Sequence, residues 1–93
     1  DGASPLLIAS WKKQFEVVTT LLAANADVHH AANDGATPLF YAANVGDDKI
    51  VAALLAANAD VNCALTNGAT PVFVAAQNGH DTVVASLLKA GAD

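Results

Sequence analysis

The hydrophobic residues of this chain recur in short blocks along the sequence. The segments 17–22, 50–55 and 83–88 each place apolar residues at positions i, i+1, i+4 and i+5. This spacing aligns the apolar side chains along one stripe of an α-helix. The predicted stripes consist of Val17, Val18, Leu21 and Leu22; Ile50, Val51, Leu54 and Leu55; and Val83, Val84, Leu87 and Leu88.

A second kind of block precedes each stripe and is apolar on most sides. It opens with Ser-Pro or Thr-Pro, so a hydroxyl can cap a helix whose first residue is proline. We predict a helix of roughly eight residues that neighbouring helices cover on several sides. In the second and third copies it should end at Gly46 and Gly79, because glycine readily adopts the left-handed conformation. The predicted caps are Ser4, Thr37 and Thr70.

These blocks repeat with a period of 33 residues. Gly2, Gly35 and Gly68 are separated by this distance, and the first two copies are identical at 16 positions without a gap. One copy is too small to bury both of its helices, whereas stacked copies can bury them against each other. The predicted repeats are residues 1–33, 34–66 and 67–93 of a single domain, 1–93.

The segment between successive helix pairs is polar and ends in turn-forming residues, so we predict a projecting turn or hairpin. Asn25, Asn58 and Gly91 should end the second helices in the left-handed conformation, which glycine and asparagine tolerate best. Asp27, Asp60 and Asp93 follow, and their carboxylates should accept hydrogen bonds from turn N–H groups.

The repeated phrases resemble the ankyrin repeat. They are Gly-Ala-Thr-Pro-Leu-Phe-Tyr-Ala-Ala (35–43), Leu-Leu-Ala-Ala-Asn-Ala-Asp-Val-Asn (54–62) and Gly-Ala-Thr-Pro-Val-Phe-Val-Ala-Ala-Gln-Asn-Gly-His (68–80). The resemblance covers the whole chain and implies an all-α fold, an ankyrin-type solenoid of stacked helix-turn-helix repeats with projecting β-hairpin or turn fingers. It also implies that the chain binds another protein on its concave face, which the finger tips and first helices form.

Partner-contact positions carry over from the family by register. The predicted contact residues are Trp11, Lys12, Asp34, Tyr41, Asn44, Val45, Asn67, Gln77 and Asn78, and the same face includes Ala3, Ala36, Ala69, Asn33 and Thr66. Trp11 is the only tryptophan, and its equivalents Asn44 and Gln77 are polar, so the position does not require a core residue. It is either a binding anchor, a role in which tryptophan is enriched, or a cover for the exposed end of the stack.

The chain departs from the family pattern in three ways. Leu7, Phe40 and Phe73 occupy the usual histidine position, so we expect apolar packing there in place of a hydrogen bond. The first copy has Lys13-Gln14 in the turn between its helices, where the family has Gly-His. A lysine in the left-handed conformation costs about 1 kcal/mol, so this turn either accepts that strain or relaxes. Neither terminal copy has the polar outer face of a capping repeat, which predicts a slice of a longer array or an artificial protein.

Charge narrows the classes of partner. The net charge is −5, and the chain has four Lys and no Arg. Nucleic acid is not expected as a partner, because the affinity of proteins for nucleic acid comes mainly from Lys and Arg side chains that neutralise phosphates. A neutral or basic protein surface is the favoured partner.

No apolar run approaches the length of a membrane span, so we expect no membrane partner. The single cysteine, Cys63, cannot form a disulfide within the chain, which fits an intracellular compartment.

No group of residues predicts chemistry, so we expect neither an enzyme nor a cofactor. His29 and His30 are adjacent, and adjacent histidines in a turn rarely both reach one ion, so no metal site is predicted. Cys63 has no histidine–acid arrangement recurring around it that would activate a nucleophile. By resemblance, Asn62 occupies the position of an asparagine that oxygen-dependent hydroxylases modify in some ankyrin repeats, but we expect an unmodified turn residue.

Two functions remain open from the sequence. The leading hypothesis is a protein–protein interaction module with a preformed concave surface. The alternative is a structural spacer within a longer array that binds no partner itself. Trp11 and Tyr41 favour the first, and the small residues Ala3, Ala36 and Ala69 favour the second.

Overall fold

The computed structural model describes residues 4–92, and these form six α-helices without a strand. The helical prediction is therefore confirmed for this part of the chain, whereas the predictions for Gly2, Ala3 and Asp93 lie outside the described residues. The helices are α1 (Pro5–Trp11), α2 (Phe15–Ala23), α3 (Pro38–Val45), α4 (Asp48–Ala56), α5 (Pro71–Gln77) and α6 (Asp81–Lys89).

The first helix of each repeat begins as predicted, with proline in its first turn and a hydroxyl cap before it. The capping oxygen accepts a backbone N–H that would otherwise lack a partner within the helix. The three bonds run from Leu7 N to Ser4 Oγ (3.2 Å), from Phe40 N to Thr37 Oγ1 (3.3 Å) and from Phe73 N to Thr70 Oγ1 (3.3 Å).

The turns between the helices of each repeat share one left-handed residue. Gly46 and Gly79 have φ values of 77° and 75°, as the sequence predicts. Lys13 holds the equivalent place with φ 61°, so the first turn keeps the shape of the others instead of relaxing. The second helices end at left-handed residues as predicted, with φ 65° at Asn25 and φ 69° at Asn58.

The helix pairs stack in the order of the sequence. Helix α3 contacts α1 on one side and α5 on the other, and α4 likewise contacts α2 and α6. The core is most complete in the central repeat, where Leu39, Ile50 and Leu54 have no exposed surface. Within residues 4–92 the outer repeats are covered on one side only, and some residues of the predicted stripes, Val17 and Leu88 among them, are exposed.

The segments between repeats form tight turns. In the first, Gly35 N donates to the carbonyl of Ala32 (2.8 Å) and Ala32 N donates to that of Ala36 (2.9 Å). Leu65, Gly68 and Ala69 repeat this pattern in the second. Two carboxylates also accept turn N–H groups at 2.9 Å as predicted: Asp27 from His29, and Asp60 from Asn62.

Candidate functional site

Six of the predicted contact residues lie where the first helices end. We call them the helix-end row: Trp11 and Lys12 at α1, Asn44 and Val45 at α3, and Gln77 and Asn78 at α5. Because α1 contacts α3 and α3 contacts α5, the stacking brings these ends side by side. The row therefore crosses all three repeats.

Trp11 and Lys12 form the α1 end of the helix-end row. Trp11 is the last residue of α1 and remains 53% exposed, so the core does not require its ring. The Nζ atom of Lys12 lies 5.4 Å from the centre of that ring, within the range of a cation–π contact. This contact favours one arrangement of two long side chains at the surface.

The middle of the helix-end row is a hydrogen-bonded group that joins two repeats. Asn78 Nδ2 donates to Asn44 Oδ1 at 2.8 Å and to the Asn44 carbonyl at 3.1 Å. The Nε2 atom of His80 lies 3.0 Å from the same carbonyl, and the ring covers Gly46, where a Cβ atom would lie 2.5 Å from its Nδ1. Asn44 and Asn78 therefore have part of their hydrogen-bonding capacity committed within the fold.

The other residues predicted on the first helices differ in exposure. Gln77, the last residue of α5, is exposed, whereas Val45 at the end of α3 is half-buried. Tyr41 is also half-buried, and its ring meets Phe40 edge-on, with ring centres 6.3 Å apart. Because it is half-buried, Tyr41 offers a partner only part of its ring.

The two predicted finger-tip residues are exposed and shape the turns that carry them. Asp34 Oδ1 accepts Ala36 N, and Asn67 Oδ1 accepts Ala69 N, each at 3.0 Å. They precede the first helices, so about 12 Å of helix separates them from the helix-end row. Ala36 itself is buried, so the expectation that it forms part of the contact face is wrong.

The fold sets the spacing and surroundings of the residues considered for metal binding and catalysis. Across residues 4–92, no three His, Cys, Asp or Glu side chains are grouped as metal ligands would be. Cys63 is half-buried. Burial, together with the nearby charge of Asp60, raises the pKa of its thiol, which disfavours the reactive thiolate.

No described helix combines the length and the apolar character that crossing a membrane requires.

The sequence pattern does not reveal a set of exposed apolar side chains at the two ends of the stack. It predicts that Phe73 packs like Leu7 and Phe40, which are buried, yet Phe73 is 56% exposed. Within the described residues no helix pair follows α5 and α6, so Phe73 lacks the cover that α3 gives Leu7 and α5 gives Phe40. The exposed large apolar residues, other than Trp11, are Ile8, Val17, Phe73 and Leu88.

Comparison with known proteins agrees with this architecture. The family described as "Ankyrin repeats (3 copies)" matches residues 6–93. The chain therefore belongs to the ankyrin repeat family, whose repeats generally serve as protein–protein interaction modules. No curated protein shows significant similarity to the chain.

Proposed function

We propose that this chain is a solenoid segment that binds a partner protein through the helix-end row together with the turn residues Asp34 and Asn67. The observation that carries the proposal is Trp11, a half-exposed tryptophan held beside Lys12 on the surface of a rigid helix stack. Tryptophan is enriched among the residues that dominate binding energy at protein–protein interfaces. The proposal assigns no catalytic step to the chain.

Rigid presentation supports the same proposal. The Asn44–Asn78 hydrogen bonds and the cap at the start of α3 hold the row before any partner arrives. A surface that is already ordered loses less conformational entropy on binding. The net charge of −5 makes a neutral or basic protein surface the favoured partner, and nucleic acid and membranes disfavoured ones.

A spacer without a partner is the second candidate. It is favoured by the buried position of Ala36 and by the mutual hydrogen bonds of Asn44 and Asn78, which reduce the polar groups that remain for a partner. The two candidates differ in what Trp11 does, since a spacer needs no exposed tryptophan.

The experiment is a selection of peptides from a random display library against the 93-residue chain, followed by affinity measurements on variants. Trp11→Ala should weaken the selected peptides by about 30-fold, the effect of a residue worth about 2 kcal/mol of binding. Lys49→Ala, an exposed change on α4 outside the row, is the matched control and should leave affinity unchanged. Peptides that bind Trp11→Ala as tightly as the original chain would rule out this face, and failure to enrich any peptide would favour the spacer.

A further inference from the structure

The chain contains two Asn-Gly pairs, Asn67-Gly68 and Asn78-Gly79. In such a pair the backbone nitrogen of glycine can attack the side-chain carbonyl carbon of asparagine, because glycine has no Cβ atom to hinder the approach. Both glycines are left-handed, with φ 90° at Gly68 and φ 75° at Gly79, and both N–H groups donate to the carbonyl three residues earlier. The two pairs are therefore alike in their backbone and differ in what holds the asparagine side chain.

The Asn67 side chain folds back over its own turn. Its Oδ1 atom accepts the N–H of Ala69 at 3.0 Å. The ring that this hydrogen bond closes includes Cγ of Asn67 and N of Gly68, so it holds together the atoms that a succinimide would join. The hydrogen bond also draws electrons from the carbonyl carbon, which favours attack by the glycine nitrogen. No described residue accepts a hydrogen bond from the Asn67 Nδ2 group, which is the leaving group.

The Asn78 side chain is instead bound to the neighbouring repeat. Its Nδ2 atom donates to Oδ1 of Asn44 at 2.8 Å and to the Asn44 carbonyl at 3.1 Å. These bonds hold the leaving nitrogen and direct the side chain towards α3, whereas attack by Gly79 N requires the side chain to turn back to its own backbone. No described group donates to the Asn78 Oδ1 atom, so its carbonyl carbon is not polarised as that of Asn67 is.

The turn at Asn67 also accommodates the product of the reaction. Asp34 holds the equivalent position one repeat earlier, and its Oδ1 atom accepts the N–H of Ala36 at the same distance, 3.0 Å. An aspartate formed from Asn67 can therefore keep the hydrogen bond that the asparagine makes. An aspartate formed from Asn78 would lose the donor to Asn44 and would place a carboxylate against the Asn44 oxygens.

Water reaches this position of the turn even between two repeats. Asp34 is exposed, although the following turn lies beside it and Thr66 N donates to its carbonyl at 3.0 Å. Asn67 is exposed as well. This access is a requirement of the reaction, because water removes the proton of the glycine nitrogen and later opens the succinimide.

We propose that Asn67 is a site of spontaneous deamidation and that the hydrogen bonds to Asn44 protect Asn78 from the same reaction. The Gly68 nitrogen loses its proton to water or hydroxide and bonds to Cγ of Asn67, and the Cγ–Nδ2 bond breaks to release ammonia. Water then opens the succinimide at either of its carbonyls, which gives aspartate or isoaspartate. The product adds a negative charge to the turn, and its formation does not depend on the proposed binding function.

The test follows both asparagines in the folded chain during incubation at mildly alkaline pH, by tandem mass spectrometry of fragments cut at acidic pH. Asn67 should deamidate at least about tenfold faster than Asn78, since two hydrogen bonds must break before the Asn78 side chain can react. Asn58, which precedes Ala59, is the internal control and should react more slowly than Asn67. In urea the two Asn-Gly pairs should react at similar rates, because the fold no longer distinguishes them.

Two substitutions at Asn44 isolate the protecting bonds. Asn44→Ala removes the Oδ1 acceptor and should speed deamidation of Asn78 about fivefold, the effect of one hydrogen bond. Asn44→Asp keeps an acceptor oxygen and should leave Asn78 slow. Circular dichroism verifies that each variant is folded, and Asn44→Leu replaces Asn44→Ala if that variant is not.

Four results would each overturn the proposal. They are equal rates at Asn67 and Asn78 in the folded chain, a rate at Asn67 no higher than that at Asn58, a difference between the Asn-Gly pairs that persists in urea, and an Asn78 rate that removal of the Asn44 side chain leaves unchanged. Loss of peptide binding in Trp11→Ala would not alter any of these rates.

Discussion

Gly46 and Gly79 hold the same place in successive repeats with nearly the same backbone, at φ 77° and 75°. Their surroundings differ. A Cβ atom at Gly46 would lie 2.5–2.7 Å from Nδ1, Cε1 and Cγ of His80, whereas one at Gly79 would meet nothing within 4 Å. Alanine at the two sites therefore separates the cost of the left-handed conformation from the cost of displacing the histidine.

The expected magnitudes follow from these surroundings. Gly79→Ala should cost about 1–2 kcal/mol, the penalty of a side chain in this conformation. Gly46→Ala incurs the same penalty and also moves the His80 ring, which lies 3.0 Å from the Asn44 carbonyl. Losing that hydrogen bond adds about 0.5–1.5 kcal/mol, so Gly46→Ala should cost about 1.5–3.5 kcal/mol in total.

The measurement is urea unfolding followed by far-ultraviolet circular dichroism, with the slope of the transition compared among variants. A double-variant cycle with His80→Ala isolates the contact, because Gly46→Ala should cost no more than Gly79→Ala once the ring is gone. Equal destabilisation of the two glycine variants would refute the role of the histidine. An excess cost of Gly46→Ala that persists in the His80→Ala background would refute it as well.

Four further substitutions test the roles of single residues by the same unfolding assay. Lys13→Gly should raise the free energy of unfolding by about 1 kcal/mol by relieving the left-handed lysine, and an unchanged midpoint would contradict this. Ser10→Ala should also stabilise, by about 1 kcal/mol, because the buried Ser10 hydroxyl has no hydrogen-bond partner among the described residues; destabilisation would show that the hydroxyl is satisfied. Thr37→Ala and Thr70→Ala should each cost about 0.5–2 kcal/mol, with the larger loss at the buried Thr37, while serine at either site should retain the cap. A larger loss at Thr70 would contradict the role of burial.

The sequence alone determined the helices and the residues at which they begin and end. Proline after a hydroxyl residue located the start of each first helix, and glycine or asparagine located the left-handed ends, because these are constraints of single residues and their immediate neighbours. The period of 33 by itself assigns Trp11, Asn44 and Gln77 to equivalent helix ends, since each lies 33 residues from the next.

Tertiary structure decided which residues at equivalent positions of the repeats are buried and which are exposed. Phe40 and Phe73 occupy the same place in consecutive repeats, but among residues 4–92 only Phe40 has a following helix pair to cover it. Asn44 and Asn78 are 34 residues apart, so their hydrogen bond depends on the offset between stacked helices, which no local pattern encodes. Local sequence sets backbone conformation, whereas burial and pairing depend on what lies beside each helix in space.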